Sequence, residues 1–231
     1  MLVLPTLSSL RAHGPGDSDH PDFAHLCAQA AVAPLIEVCP ATPGDALAAF
    51  GFALAWALTH AKGLILWAFP EHLEAEHGQF SAAGLAQFGV PLERGLFVRA
   101  PSQVGALWAA EQALNLPGAF ILCSVAPSQT GLSLTASRRL ILLAEKCQSR
   151  CVLARLDELT ASAARARFSV QSAPSKGAAR ELSAPAFDVR LTRNRVGFAG
   201  QSWRLIWNSN DQTFIPAERA LDGDLAAAPA D

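Results

Sequence analysis

No apolar run in this sequence is long enough to cross a bilayer. The longest, Ala46 to Leu58, falls short of the roughly 20 residues that a spanning helix needs, and Lys62 follows it closely. A basic leader is also missing, because the first apolar residues run directly into Pro, Gly and Asp, which does not read as a signal peptide. No membrane contact is therefore expected, and the expected location is the cytoplasm. Cysteine is sparse: Cys27, Cys39, Cys123, Cys147 and Cys151 are odd in number and scattered through apolar segments, as buried thiols in a reducing compartment would be. Their one close pair, Cys147 and Cys151, has no second pair or ligating His beside it, so no metal site is expected. Ser124, Ser137 and the other hydroxyls lack a G-x-S-x-G elbow, which argues against a triad hydrolase, and the absence of any internal repeat excludes a solenoid.

What is present describes one globular unit. Hydrophobic residues make up 51% of the 231-residue chain and charged ones only 16%, enough for a single well-buried core. The net charge of -2 hides an asymmetry. Residues 1–131 hold 4 Lys+Arg against 10 Asp+Glu, residues 132–208 hold 13 against 5, and residues 209–231 hold 1 against 5. A basic segment between acidic ones can face nucleic acid or an acidic protein, or be neutralised within the fold.

Apolar runs alternate with helical patterns. Val32–Pro40 reads as a buried strand, Asp45–His60 as a helix buried over much of its circumference, Leu64–Phe69 as a strand and Ser81–Phe88 as a short helix. Gly95–Arg99 is the third strand, Ser102–Asn115 a helix begun by Ser102, and Ala119–Val125 the most apolar strand, expected at the sheet centre. Leu134–Cys147 is an amphipathic helix with Arg138 and Arg139 outward, and Cys151–Leu156 returns as a strand. This order predicts a three-layer α/β core with a mainly parallel sheet. Arg167–Ala173, Phe187–Thr192 and Ser202–Trp207 alternate without intervening helices, which predicts an antiparallel C-terminal extension, with a flexible loop at Ser172–Pro185. The expected organisation is an arm at 1–31, a core at 32–208 and an acidic tail at 209–231.

The first strand–helix junction has the context of a phosphate loop without its chemistry. The pattern G-x-x-x-x-G-K-[ST] cradles phosphates with backbone N–H groups, reaches the β/γ-phosphates with its Lys and holds magnesium with its hydroxyl. Here Cys39 replaces the first Gly, Thr42 and Pro43 lead to the surviving Gly44, and Asp45 and Ala46 stand where Lys and Ser/Thr belong. Two unit charges at about 4 Å interact by about 4 kcal/mol at an effective dielectric of 20, so exchanging attraction for repulsion is decisive against a triphosphate. Cys123 is read at the place of the acidic residue that would end the central strand and hold the magnesium shell. No nucleotide, other cofactor or enzymatic activity is expected.

The ordered succession IEVCPATPGDALAAFGFALAWA, LILWAFPEHLEAEHG, GLAQFGVPLERGLFVRAPSQVGALWAAEQAL, AFILCSVAP, LTASRRLILLAE and FDVRLTRNRVGFAGQSWRLIW resembles the RecA core. Over roughly Ala33 to Asn208 it is similar, more specifically, to the ImuA family of RecA-like accessory proteins of DNA-damage mutagenesis. The most telling pieces are PGDALAAFGFALA, LWAAEQAL and LTASRRL. The resemblance implies a scaffolding or regulatory role in SOS-linked translesion synthesis, with an ImuB-like inactive Y-family polymerase and an error-prone replicative-type polymerase as partners. Against RecA itself, the span between Val125 and Leu134 leaves little room for the first mobile DNA-binding loop.

Two further groups complete the reading. Glu71, His72, Glu74, Glu76 and His77 crowd after the second strand; Glu71 holds the place of a water-activating carboxylate, but without a bound triphosphate the group reads as a solvated acidic loop, and H-L-E-A-E-H misses the zinc spacings. Arg138, Arg139, Arg165, Arg167, Arg193 and Arg195, with Arg190 and Arg204, are the candidate partner or DNA contacts, because Arg forms bidentate bonds to carboxylate and phosphate. Strict alternation puts Arg190 and Thr192 on one face and Val189, Leu191 and Arg193 on the other, while Trp203 and Trp207 share a face. The competing readings are a SulA-type inhibitor of the tubulin-like division protein, a divergent ATPase using Glu71, and direct DNA binding through the basic segment.

Overall fold

The computed structural model describes residues 23, 32–127, 132–157, 161–174, 184–195, 197 and 199–217. Nine strands form one sheet in the order β3-β2-β4-β5-β1-β6-β7-β8-β9. The strands are β1 Leu35–Pro40, β2 Ile65–Pro70, β3 Gly95–Ala100, β4 Phe120–Val125, β5 Arg150–Arg155, β6 Ala166–Ser172, β7 Ala186–Asn194, β8 Ser202–Asn208 and β9 Thr213–Pro216. The six from β3 to β6 run parallel and the remaining pairings are antiparallel. The expected α/β class, mainly parallel sheet and antiparallel C-terminal extension are all present.

Burial follows from the strand sequences. β2 and β4 (ILWAFP and FILCSV) are buried at every position, as strands covered on both faces must be. One face carries α1 (Ala46–His60), with the short helices α2 (His72–His77) and α3 (Ala82–Gln87) beside it. Its core includes Phe50, Phe52, Trp56, Trp67, Phe168, Phe187 and Trp207. The other face carries α4 (Gln103–Leu114) and α5 (Leu134–Cys147), packed on Leu35, Leu66, Ile121, Cys123 and Leu153. Ser102 and Ser133 cap these two helices by accepting from Gly105 N at 3.1 Å and Ala136 N at 3.1 Å.

Four expectations need correction. β6 pairs parallel with β1 before pairing antiparallel with β7, so the antiparallel part begins one strand later than its sequence pattern suggests. The acidic segment after β2 is the helix α2 rather than a loop: Leu73 is buried and Glu74 accepts from Arg99 Nη1 at 3.1 Å. The boundary of the core lies beyond 208. Residues 213–216 form β9, and the preceding turn is fastened to the turn that follows α3 by Gln212 Nε2 donating to Gly89 O at 2.7 Å. Gly89, at φ 95°, is needed there because a Cβ would meet Ser209 O at 2.5 Å. Phe23, assigned to the arm, is buried and lies 5.4 Å from Trp203 and 5.7 Å from Phe214, ring centre to ring centre. The remainder of the arm, the loop residues 175–183, the acidic positions from 218 onward and residues 128–131 before α5 lie outside the described residues.

Candidate functional site

The junction of β1 and α1 is built as a closed turn. Pro40 ends the strand, and a 3-10 turn over Pro43–Asp45 leads into α1. Asp45 folds its carboxylate back over this turn. Oδ2 accepts from Thr42 N at 3.1 Å and from Thr42 Oγ1 at 2.7 Å; Oδ1 accepts from Ser172 N at 3.0 Å and Ser172 Oγ at 3.2 Å. These four bonds hold the carboxyl below the usual carboxylate range, with the Thr42 hydroxyl the largest cause and the Ser172 amide next. They also tie the turn to the end of β6.

Several of the turn's amide donors are already engaged. Ala41 N donates to Val170 O at 2.8 Å, Thr42 N to Asp45, and Asp45 N to Thr42 O at 2.9 Å, while Pro43 has no N–H at all. The aspartate is thus both a like charge and an occupant: it takes the amide of Thr42 internally. Cys39, in place of the first Gly, is buried in β1, and burial pushes its thiol up to about 12. Ala46 is buried at the start of α1 and carries no hydroxyl for a metal.

Beside the turn, Leu47 and Phe50 of α1, Phe69 of β2, Leu73, Glu74 and His77 of α2, Phe80 and Ser124 line a largely apolar pocket of about 120 Å³. That is well below the roughly 300–1,000 Å³ of small-molecule sites, and no Lys or Arg lines it. Ser124 Oγ accepts from Trp67 Nε1 at 2.9 Å. The β4 residue facing the turn's side of the sheet is therefore Ser124. Cys123 points to the opposite face among α4 and α5, with its thiol raised to about 12 by burial. A one-residue shift along a strand moves a side chain to the other face, and that separates the expected position from the observed one. Ser124 is no more able than Cys123 to supply a carboxylate. Glu71 stands exposed at the end of β2.

The arginines divide into groups. On α5, Arg138 is exposed, and Arg139 pairs with Glu111 of α4. Arg165 pairs with Glu145 at 3.0 Å. Arg167, Arg193 and Arg195 come together on the α5 side of the sheet: Arg167 Nε donates to Glu37 at 2.7 Å, while Arg193 Nη2 and Arg195 Nη2 both donate to Ser162 O at 3.0 Å. The expected alternation fails for Arg193. Leu191 lies opposite Phe168 but Arg193 lies opposite Arg167, so Thr192 is the extra residue of a β-bulge, and Arg193 turns to the face of Arg167 and Arg190. Burial lowers the Arg193 guanidinium pKa, and the neighbouring Arg195 and Arg167 lower it further.

Under this cluster lies an ion network that pattern reading missed. Arg155 and Glu37, both fully buried, meet at 3.0 Å, and Arg155 also binds Asp157 through Nε at 2.8 Å and Nη2 at 2.6 Å. Asp157 Oδ2 accepts from Leu132 N at 2.7 Å, anchoring the entry to α5. Burial alone would lower the Arg155 pKa, but Asp157 and Glu37 outweigh it and raise it. The available signal was a lone Glu in the apolar strand LIEVCP. Trp203 and Trp207 do share a face, the α1 side, where Trp207 is buried 5.6 Å from Phe88 and donates to Phe88 O at 2.8 Å.

A second surface is apolar. Val104 and Trp108, four apart on α4, are 76% and 62% exposed, and Leu96 of the edge strand β3, on the same side of the sheet, is 47% exposed. No helix among the described residues is long and apolar enough to cross a membrane.

No family model matches the chain, and no curated protein matches it. Among solved structures, the RadB recombinase superimposes with a TM-score of 0.51 at 16% identity, covering 77% of this chain and 90% of that one. SulA from Pseudomonas aeruginosa aligns at 24% identity and a TM-score of 0.40, over 53% of this chain and 98% of that one. The core has the fold of the RadB recombinase, in accord with the RecA-like architecture expected from the sequence.

Proposed function

We propose that this chain is a non-catalytic RecA-like protein that works by binding other macromolecules. The supporting observation is the carboxylate of Asp45, which is fastened inside the turn where a nucleotide-using relative would hold phosphate. Two absences reinforce it: no Lys or Arg among the described residues lines the adjacent pocket, and the position facing it from β4 is Ser124 rather than an acid. A scaffold that keeps the sheet and loses the phosphate chemistry is suited to presenting surfaces. The exposed Val104 and Trp108, beside the free edge of β3, have the aromatic and aliphatic character of protein interfaces.

The resemblance to the ImuA family makes the role more specific: an accessory in translesion synthesis that binds an ImuB-like inactive Y-family polymerase and an error-prone replicative-type polymerase, with DNA contact secondary. Co-purification and titration of the full chain against these two polymerases test it. Association that is lost on Trp108→Glu is the expected result. Association with neither polymerase overturns the assignment.

A further inference from the structure

The antiparallel extension has one covered face and one open face. Phe187, Val189, Leu191, Leu205 and Trp207 pack toward α1. The register places Gln171, Asp188, Arg190, Ser202, Arg204, Ile206 and Ile215 on the opposite face, where Arg190 and Arg204 are exposed and no helix among the described residues covers them. The bulge at Thr192 adds Arg193 to this face, beside Arg167, with Arg195 following at its rim.

We propose that this open face is a docking surface for an acidic polypeptide segment with aliphatic side chains. Charge comes first. Asp188 is matched by Arg204 through two bonds of 2.7 Å, and Glu37 is matched from below by Arg155 and Arg167. Arg190, Arg193 and Arg195 have no carboxylate partner among the described residues, so the face carries a surplus of cations. The geometry is also prepared: Arg193 donates to Ser162 O through Nη2 and to Ser162 Oγ through Nη1 at 3.5 Å, and Arg195 donates to the same carbonyl through Nη2, which orients both guanidinium groups and leaves their remaining N–H donors for carboxylates.

Two observations favour polypeptide over nucleic acid. The described aromatics of the extension, Trp203, Trp207 and Phe214, lie on the α1 side, so among the described residues the arginine face offers no ring on which bases could stack. At the end of the face, Ile206 pairs with Ile215, which is 47% exposed, and an aliphatic anchor beside cations suits an acidic segment carrying leucine or isoleucine. This deepens the binding role proposed above, yet nucleotide binding at the Asp45 turn would overturn that role and leave this surface standing.

Fluorescence anisotropy on the full chain tests it with three labelled probes: a short glutamate peptide interrupted by leucines, the same peptide with glutamines, and an oligothymidylate of equal charge. The glutamate peptide should bind most tightly. Arg190→Gln combined with Arg195→Gln should weaken it about tenfold, and Ile215→Ser should weaken it only while the leucines are present. Because the Arg190 side chain is exposed and has no hydrogen bond or ion pair among the described residues, Arg190→Gln alone should leave the unfolding temperature unchanged while still weakening the peptide. Oligothymidylate binding as tightly as the glutamate peptide, equal affinity for the glutamine peptide, or indifference to the arginine variants would each overturn the proposal.

Discussion

The two ends of β6 handle charge in opposite ways. At its C-terminal end Ser172 helps to hold a carboxylate, that of Asp45, inside a turn where no cation among the described residues pairs with it and amide and hydroxyl donors bind it instead. At its N-terminal half Arg167 joins a network in which two carboxylates and several guanidinium groups share one region, and the surplus is positive and faces outward. The first arrangement closes a site and the second opens one. In the account proposed above, a fold that in a nucleotide-binding relative would concentrate its function at the β1–α1 turn would instead bind through the sheet extension.

The largest effect should come from the buried network. Arg155→Ala leaves Glu37 and Asp157 without their central partner, and breaking such a buried pair costs about 3–5 kcal/mol, measurable by urea unfolding. Less costly is Asp45→Ala, which removes the acceptor of the Thr42 and Ser172 bonds and should destabilise by about 1–2 kcal/mol without creating affinity for ATP. Its pH dependence has a definite sign. A carboxyl depressed in the folded state contributes fully above its unfolded value of about 3.9, and that contribution fades as pH falls through the lower folded value. The stability difference between the wild type and Asp45→Asn should therefore shrink in acid and be flat from neutral pH down to about pH 5. Deleting Thr192 should cost least, about 1 kcal/mol or below, because it removes the bulge and the 3.2 Å bond to Arg167 O while leaving Leu191 and Arg193 on their present faces. If that deletion turns Arg193 inward, as loss of acidic-peptide binding with marked destabilisation would reveal, the register account fails.

Much of this was legible in the sequence because apolar strands and amphipathic helices write their period directly. Leu134–Cys147 is a helix with its expected boundaries, and Ser102 is its neighbour's cap. The departure from the phosphate-loop pattern was legible because it depends on residue identity: Asp45 and Ala46 stand where Lys and Ser/Thr belong. Less legible were features set by pairing. The bulge at Thr192 leaves no mark in β7 itself, since it exists only relative to β6. Cys123 and Ser124 are adjacent, and choosing between them requires knowing which face of β4 meets α1. β9 is four residues long, and its place comes from Gln212 clasping Gly89 and Phe214 packing on Trp207. Glu37 lies far in sequence from Arg155 and Asp157, so only the parallel pairing of β1 with β5 reveals the three as one group.

The most direct test of the closed turn is calorimetric titration of the full chain with ATP and magnesium. An internally bonded Asp45 predicts no saturable heat at any accessible concentration. Saturable binding in the micromolar range, lost when Gly44 is replaced by a bulkier residue, would contradict it.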